Sequence, residues 1–293
     1  MSFSLKDYIS EGCPADIRDE ALLSDNEDFL FDDLPWTYWT NFGITAVSVS
    51  AFIVLLFFPR SQNQEGEEDK IKVAVRLRNK EAEEFFIPLI FLSAAIAFFL
   101  GGISHLTNNP GRALFTSAYV VYGVSGGTVM VMTGLTLIGV SRTSASLVRK
   151  ILWWVLSCAY AVLSLLGVIV DSAVIIGLSA FGVTAFVGIA YMVKFFEDRI
   201  EGKHFIVKAF SQVISLIGSV GIVIFQPSCG GLEAYKQCFD KCPFPKGFNQ
   251  NAFYHISVMI GLIIWACSEY VRPTIMVNPQ KTFEKIESSD SKA

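Results

Sequence analysis

The chain predicts an all-α integral membrane protein: a seven-helix bundle with its N-terminus outside and its C-terminus cytosolic. Three observations carry that prediction. The 293 residues are 52% hydrophobic and 17% charged, with a mean hydropathy of +0.48, whereas a soluble domain carries about 25% charged residues. The charges are segregated, so that long apolar runs alternate with short stretches holding nearly all of them. Lys and Arg, finally, concentrate on alternate connections. A soluble globular protein and a disordered chain are excluded. The net charge of −4 and pI near 5.5 exclude a phosphate-backbone footprint, so membrane lipids and no nucleic acid are the expected partners.

A transmembrane helix needs about 20 mostly apolar residues to cross a hydrocarbon core about 30 Å thick. The first 35 residues form an acidic tail without an apolar signal-peptide core, so the first span is expected to serve as the targeting signal. Asp25, Glu27, Asp28, Asp32 and Asp33 in that tail read as a solvated run; the other reading is an oxygen-rich calcium site. The first span is Trp36 to Phe58, closed by Pro59-Arg60. Gln62 to Glu84 alternates acids and bases as a solvated helical extension would. The second span is Phe85 to Leu106, ended by Thr107-Asn108-Asn109-Pro110-Gly111, and the third is Ala113 to Val140. Ile151 to Met192 is too long for one span and is broken only by Asp171, which reads as the tip of a hairpin between a fourth span, 151–170, and a fifth, 172–196. A buried intramembrane carboxylate is the other reading of Asp171. Phe205 to Phe225 and Asn251 to Val271 complete the bundle, and residues 272–293 form the C-terminal tail.

Orientation follows the positive-inside rule. The first, third and fifth connections with the C-terminal tail, counted with the adjoining span ends that carry Lys194 and Lys208, hold 17 of the 23 Lys and Arg, among them Arg60, Lys70, Arg142, Lys150, Arg199 and Lys203. The N-terminus therefore lies outside, in the secretory pathway or at the plasma membrane. Cys158 and Cys267 fall inside spans and read as small core residues. Cys13, Cys229, Cys238 and Cys242 all fall on the outer side, where an even number of cysteines is expected to pair. Four cysteines allow three pairings. Each joins Cys13 to one loop cysteine and lets the other two close the loop.

Polar chemistry concentrates at the outer end. His105 ends the second span in Gly101-Gly102-Ile103-Ser104-His105, and His255 opens the seventh, four residues after Asn251 and so on the same helical face. Tyr119 and Tyr122 fall at similar depth in the third span. Imidazoles inside a membrane face the bundle interior, where they pair or coordinate. Lys208 and Gln212 in the sixth span and Glu269 in the seventh are the candidates for a transport pathway. Lys208 and Glu269 are each close enough to a span end to snorkel to the surface.

With a histidine closing span two and a polar-x3-His opening span seven, the chain resembles a divergent branch of the CREST superfamily, which includes alkaline ceramidases and the progestin and adipoQ receptors. The resemblance implies that His105 and His255 are zinc ligands and that a metal-bound water hydrolyses a lipid amide or ester. It also implies a disulfide from Cys13 to one of Cys229, Cys238 or Cys242. Gly101 stands where the family has Ser, Asn251 where it has a further zinc-binding His, and Tyr122-Gly123 where it has an Asp. Three readings of the site follow. It is a zinc-dependent hydrolase centre supported by Ser104, Tyr122 and Asn251, a receptor or sensor pocket, or a structural polar clasp between helices.

Overall fold

The computed structural model describes residues 35–57, 85–107, 111–169, 173–197, 202–229, 241–245 and 248–275. The acidic tail, the Gln62–Glu84 connection, Asp171, Cys13 and Cys238 lie outside the described residues. Within them the chain is all-helical, with seven helices: α1 Pro35–Phe57, α2 Ile87–Leu106, α3 Gly111–Leu137, α4 Leu147–Ile169, α5 Ala173–Glu197, α6 Gly202–Cys229 and α7 Gln250–Ile275. Each is long and apolar enough to cross a membrane. One helix ends at Ile169 and the next begins at Ala173, so the long apolar stretch around Asp171 is two helices.

Local chemistry sets several ends. Pro35 opens α1 and Pro88 lies in the first turn of α2, positions where a missing N–H costs nothing. The run expected to reach Val140 ends instead at Leu137. Gly139 takes φ 91°, its N–H bonds to the Thr136 carbonyl at 3.1 Å, and the Val140 N–H bonds to the Leu135 carbonyl at 2.9 Å. Those two bonds close the helix in a Schellman turn.

Helices α1, α2, α3, α5, α6 and α7 pack in that order as a ring, which closes where α7 meets α1; α4 packs on the outside against α3 and α5. The starts of α1 and α7 meet through Trp36 and Phe248, whose ring centroids are 6.0 Å apart. The end of α2 meets the start of α3 through Ser104 and Thr116 at 2.6 Å. This is the His255 end of the bundle. At the opposite, Glu269 end, Arg142 lies 4.8 Å from the Phe85 ring.

In lipid, helices associate through close packing and interhelical hydrogen bonds, because hydrocarbon is as apolar as leucine. The core accordingly mixes large rings with small contacts. Ile44, Phe91, Val187, Tyr191, Phe205 and Trp265 fill the ring interior. Helix α4 turns Trp153, Ser157 and Ser164 inward, and its Trp153 N–H donates to Thr136 Oγ1 at 3.2 Å. It leaves Leu152, Trp154, Val155, Leu163 and Leu166 exposed, an apolar face suited to acyl chains. A methyl group on Gly127 of α3 would lie 2.2 Å from the Tyr160 hydroxyl of α4, so glycine sets how closely those helices approach.

Candidate functional site

The site at the His255 end is built from the first turns of α1 and α7. Thr37, Thr40 and Asn41 follow at intervals of three and one residue, which places all three on one side of α1. All are buried. Asn249 caps α7: its Oδ1 accepts the Ala252 N–H at 2.8 Å, satisfying one of the orphan donors of the first turn. The same oxygen accepts the Thr37 hydroxyl at 3.2 Å, joining the first helix to the last. Asn41 Nδ2 donates to the Thr37 carbonyl at 3.1 Å.

His255 completes the cluster. Its Nδ1 lies 3.1 Å from Thr40 Oγ1. The Thr40 hydroxyl has a single proton and sits 2.6 Å from the Trp36 carbonyl, which takes it. By that logic Nδ1–H donates to Thr40, and the neutral ring carries its lone pair on Nε2. Phe98 of α2 stands edge-on to the imidazole at 5.6 Å, and Tyr119 of α3 packs against Phe98 at 6.2 Å.

Two polar atoms in this cluster have no hydrogen-bond partner: Asn41 Oδ1 and Asn249 Nδ2, each on a residue only 1% exposed. Both amides are oriented by bonds to their other end, so one presents a free acceptor and the other a free donor. Gly101 of α2 faces the same place, because a methyl group there would lie 3.6 Å from Asn41 Oδ1 and 3.2 Å from the Tyr119 ring.

The structure sorts the residues expected at this site. His105 is half-buried at the end of α2, within electrostatic reach of His255. Ser104 is buried but bonds to Thr116. Tyr122 is 39% exposed on the outside of α3, and Tyr119 stands against the cluster in its place. Asn251 is half-buried one turn before His255, and Asn249 makes the bonds between helices. Cys229 forms a disulfide with Cys242, which ties the end of α6 to the segment leading into α7. Cys158 and Cys267 are free and exposed on the bundle surface, not buried in its core.

Zinc does not fit these donors. Among the described residues no group of three His, Cys, Asp or Glu could hold a metal ion. His255 stands beside the Thr40 hydroxyl, and neither that hydroxyl nor the nearby amides of Asn41 and Asn249 are good zinc ligands. Comparison of the chain with family models, with curated proteins and with solved structures finds no match.

A second polar cluster occupies the Glu269 end. Lys208 of α6 and Glu269 of α7 form an ion pair with both side chains fully buried. The Lys208 ammonium lies 5.4 Å from the Tyr191 ring and 5.7 Å from the Phe205 ring. Snorkelling to the surface was expected of both charges; instead α5, α6 and α7 close over them. Trp265, one turn before Glu269 on the same face of α7, buries an N–H that has no partner.

Proposed function

We propose that this chain is a non-catalytic membrane receptor or sensor that binds the neutral polar head of an amphiphile among Thr37, Asn41, Asn249 and His255. The observation that carries the reading is the pair of unpartnered buried amide atoms, Asn41 Oδ1 and Asn249 Nδ2. A buried polar group without a partner costs about 1–3 kcal/mol. A ligand that both donates and accepts, such as one bearing a hydroxyl or an amide, would recover that cost at both atoms. The cluster holds no carboxylate, lysine or arginine among the described residues, which favours a neutral head group over a charged one. Membrane lipids are the partners the exposed apolar faces suit.

One further feature supports the sidedness expected from charge. The Cys229–Cys242 disulfide lies at the end where α1 begins, and disulfides persist in oxidising compartments. On that basis the N-terminus and the ligand site face outside, in the secretory pathway or at the plasma membrane, and the C-terminus faces the cytosol. Thiol modification of Cys229 or Cys242 from the cytosolic side would invert this assignment.

Native mass spectrometry of the purified protein tests the ligand. The wild type is expected to retain a stoichiometric amphiphile, and Asn41→Leu to lose it by about 10-fold, the equivalent of one hydrogen bond to a buried partner, with the melting temperature maintained. Equal retention in both proteins would refute the site. Stoichiometric zinc in the wild type, lost in a His105→Ala/His255→Ala double variant, would return the reading to a hydrolase.

A further inference from the structure

We propose that the seam between α2 and α3 at Gly123 is the membrane-side port of the ligand site, and that it admits the single hydrocarbon chain of a neutral amphiphile. This rests on the ligand reading above and narrows the ligand to one with a slender tail.

The port follows from the spacing of four residues. Thr116, Tyr119, Gly123 and Gly126 succeed one another at intervals of three, four and three, which places them on one face of α3. Three of the four touch α2. Thr116 Oγ1 lies 2.6 Å from Ser104 Oγ, the Tyr119 ring packs on Gly101 and Phe98, and a methyl group on Gly126 would lie 3.2 Å from Ser93 Cβ. Gly123 breaks the row. It is exposed, and a methyl group there would meet no described atom within 4 Å. Helices in lipid are held together by close packing along such faces, so an opening between two tight contacts marks a place kept for something other than α2. From Thr116 to Gly126 the stretch measures about 15 Å at the helical rise, and Tyr119 fills the half nearer the His255 end.

The same ring joins the opening to the buried acceptor. It lies 3.2 Å from the point where a side chain on Gly101 would begin, and Asn41 Oδ1 lies 3.6 Å from that point. Asn41 Oδ1 is enclosed and unpartnered, so a ligand reaches it only if a neighbour moves. The neighbours on α1 and α7 are tied: Asn41 Nδ2 bonds to the Thr37 carbonyl, and Thr40 to His255. The seam between α1 and α2 is shut, because a methyl group on Gly102 would lie 2.6 Å from the Phe42 ring. Tyr119 is held by packing and is the side chain that can give way. A side chain at position 123 would cover the turn N-terminal to it, which is the turn of Tyr119; glycine leaves that turn clear. The polar head then meets Asn41 while the tail lies at Gly123, one turn nearer the middle of the bilayer.

The lining suits hydrocarbon. Ser117 and Ser125 are exposed on this half of α3, but each hydroxyl donates to its own helix, to the Ala113 and Val121 carbonyls at 2.8 Å. Leu114 and Val121 are exposed beside them. An opening made by one missing side chain passes a polymethylene chain and stops a fused-ring body.

Binding of two neutral hydroxyl amphiphiles to the full chain in lipid nanodiscs, read by native mass spectrometry, tests the proposal. One probe is 1-monooleoylglycerol, with a single flexible chain; the other is cholesterol, with a fused-ring body. The wild type is expected to prefer monooleoylglycerol by at least about 10-fold, the low end of what a misfit of one methylene group counts for in an apolar pocket. Gly123→Leu fills the port and is expected to lose monooleoylglycerol by a similar factor at an unchanged melting temperature, because the new side chain enters open space. Val121→Leu, on the exposed face beside it, is expected to bind as the wild type does. Tyr119→Ala widens the port and is expected to admit cholesterol, which keeps the test decisive if Gly123→Leu fails to fold. Equal binding of both probes by the wild type, undiminished binding by a folded Gly123→Leu protein, or a Tyr119→Ala protein that still excludes cholesterol would each overturn the port, while loss of binding in Asn41→Leu would leave the ligand site standing. Binding of neither probe by the wild type, or full binding by Asn41→Leu, would overturn the ligand reading and the port with it.

Discussion

Thr40 links the two histidine-end helices by a single hydroxyl, which makes it the sharpest residue-scale test of the cluster. Thr40→Val keeps the shape of the side chain and removes the acceptor for His255 Nδ1–H. Interhelical hydrogen bonds in membrane bundles contribute about 0.6 kcal/mol on average and up to about 1.7. A double-mutant cycle with His255→Ala, read by equilibrium unfolding in detergent, is expected to return a coupling within that range. A coupling indistinguishable from zero would mean that the two side chains do not act on each other. The histidines were readable in the sequence because only three occur, and two fall at span ends. Thr37, Thr40 and Asn41 are not legible in the same way, because uncharged polar residues are common at helix starts; only their spacing on one side of α1 marks them. Periodicity points to Asn251 and not to Asn249, because it says which face a residue is on, not which residue caps the helix. The burial of Lys208 and Glu269 is hidden from the sequence for a related reason. Nearness to a span end allows snorkelling, and only the packing of α5 against α6 and α7 forbids it.

At the scale of helices, hydropathy and length sufficed for all seven elements, since a span must satisfy its backbone internally and be about 20 residues long. The order of the helices around the ring was not readable. Lipid-facing and bundle-facing surfaces are both apolar, so the pattern that identifies a core face in a soluble protein is weak here. The small residues are where helix packing leaves a trace, and Gly127, at the contact of α3 with α4, is the clearest case. Gly127→Leu would drive a branched side chain into the space of the Tyr160 hydroxyl, and overpacking of this kind costs about 1–3 kcal/mol. The variant is expected to unfold at a correspondingly lower temperature, and Gly127→Leu/Tyr160→Ala to recover part of the loss. Equal melting temperatures for Gly127→Leu and the wild type would show that α4 can move away freely.

For the whole molecule, the disulfide and the closed ring are the two global constraints. Cys229 and Cys242 are separated by 13 residues, and closing a loop of about 15 residues stabilises by roughly 3 kcal/mol in the chain-entropy description. Cys229→Ser/Cys242→Ser is therefore expected to melt earlier and to match the reduced wild type. A variant as stable as the oxidised protein would reduce the bridge to an ornament of the loop. The ring has a different consequence, one of timing. It closes through contacts between the first helix and the last, and the Thr37–Asn249 bond spans 212 positions of sequence. The residues of the cluster are thus divided between two membrane segments made at different times, α1 well before α7. Until α7 is inserted, Thr37, Thr40 and Asn41 stand on α1 without the partners that bury them. The finished cluster is then a record that translation reached α7, and a chain cut short before it would offer the membrane a polar stripe for quality control to find.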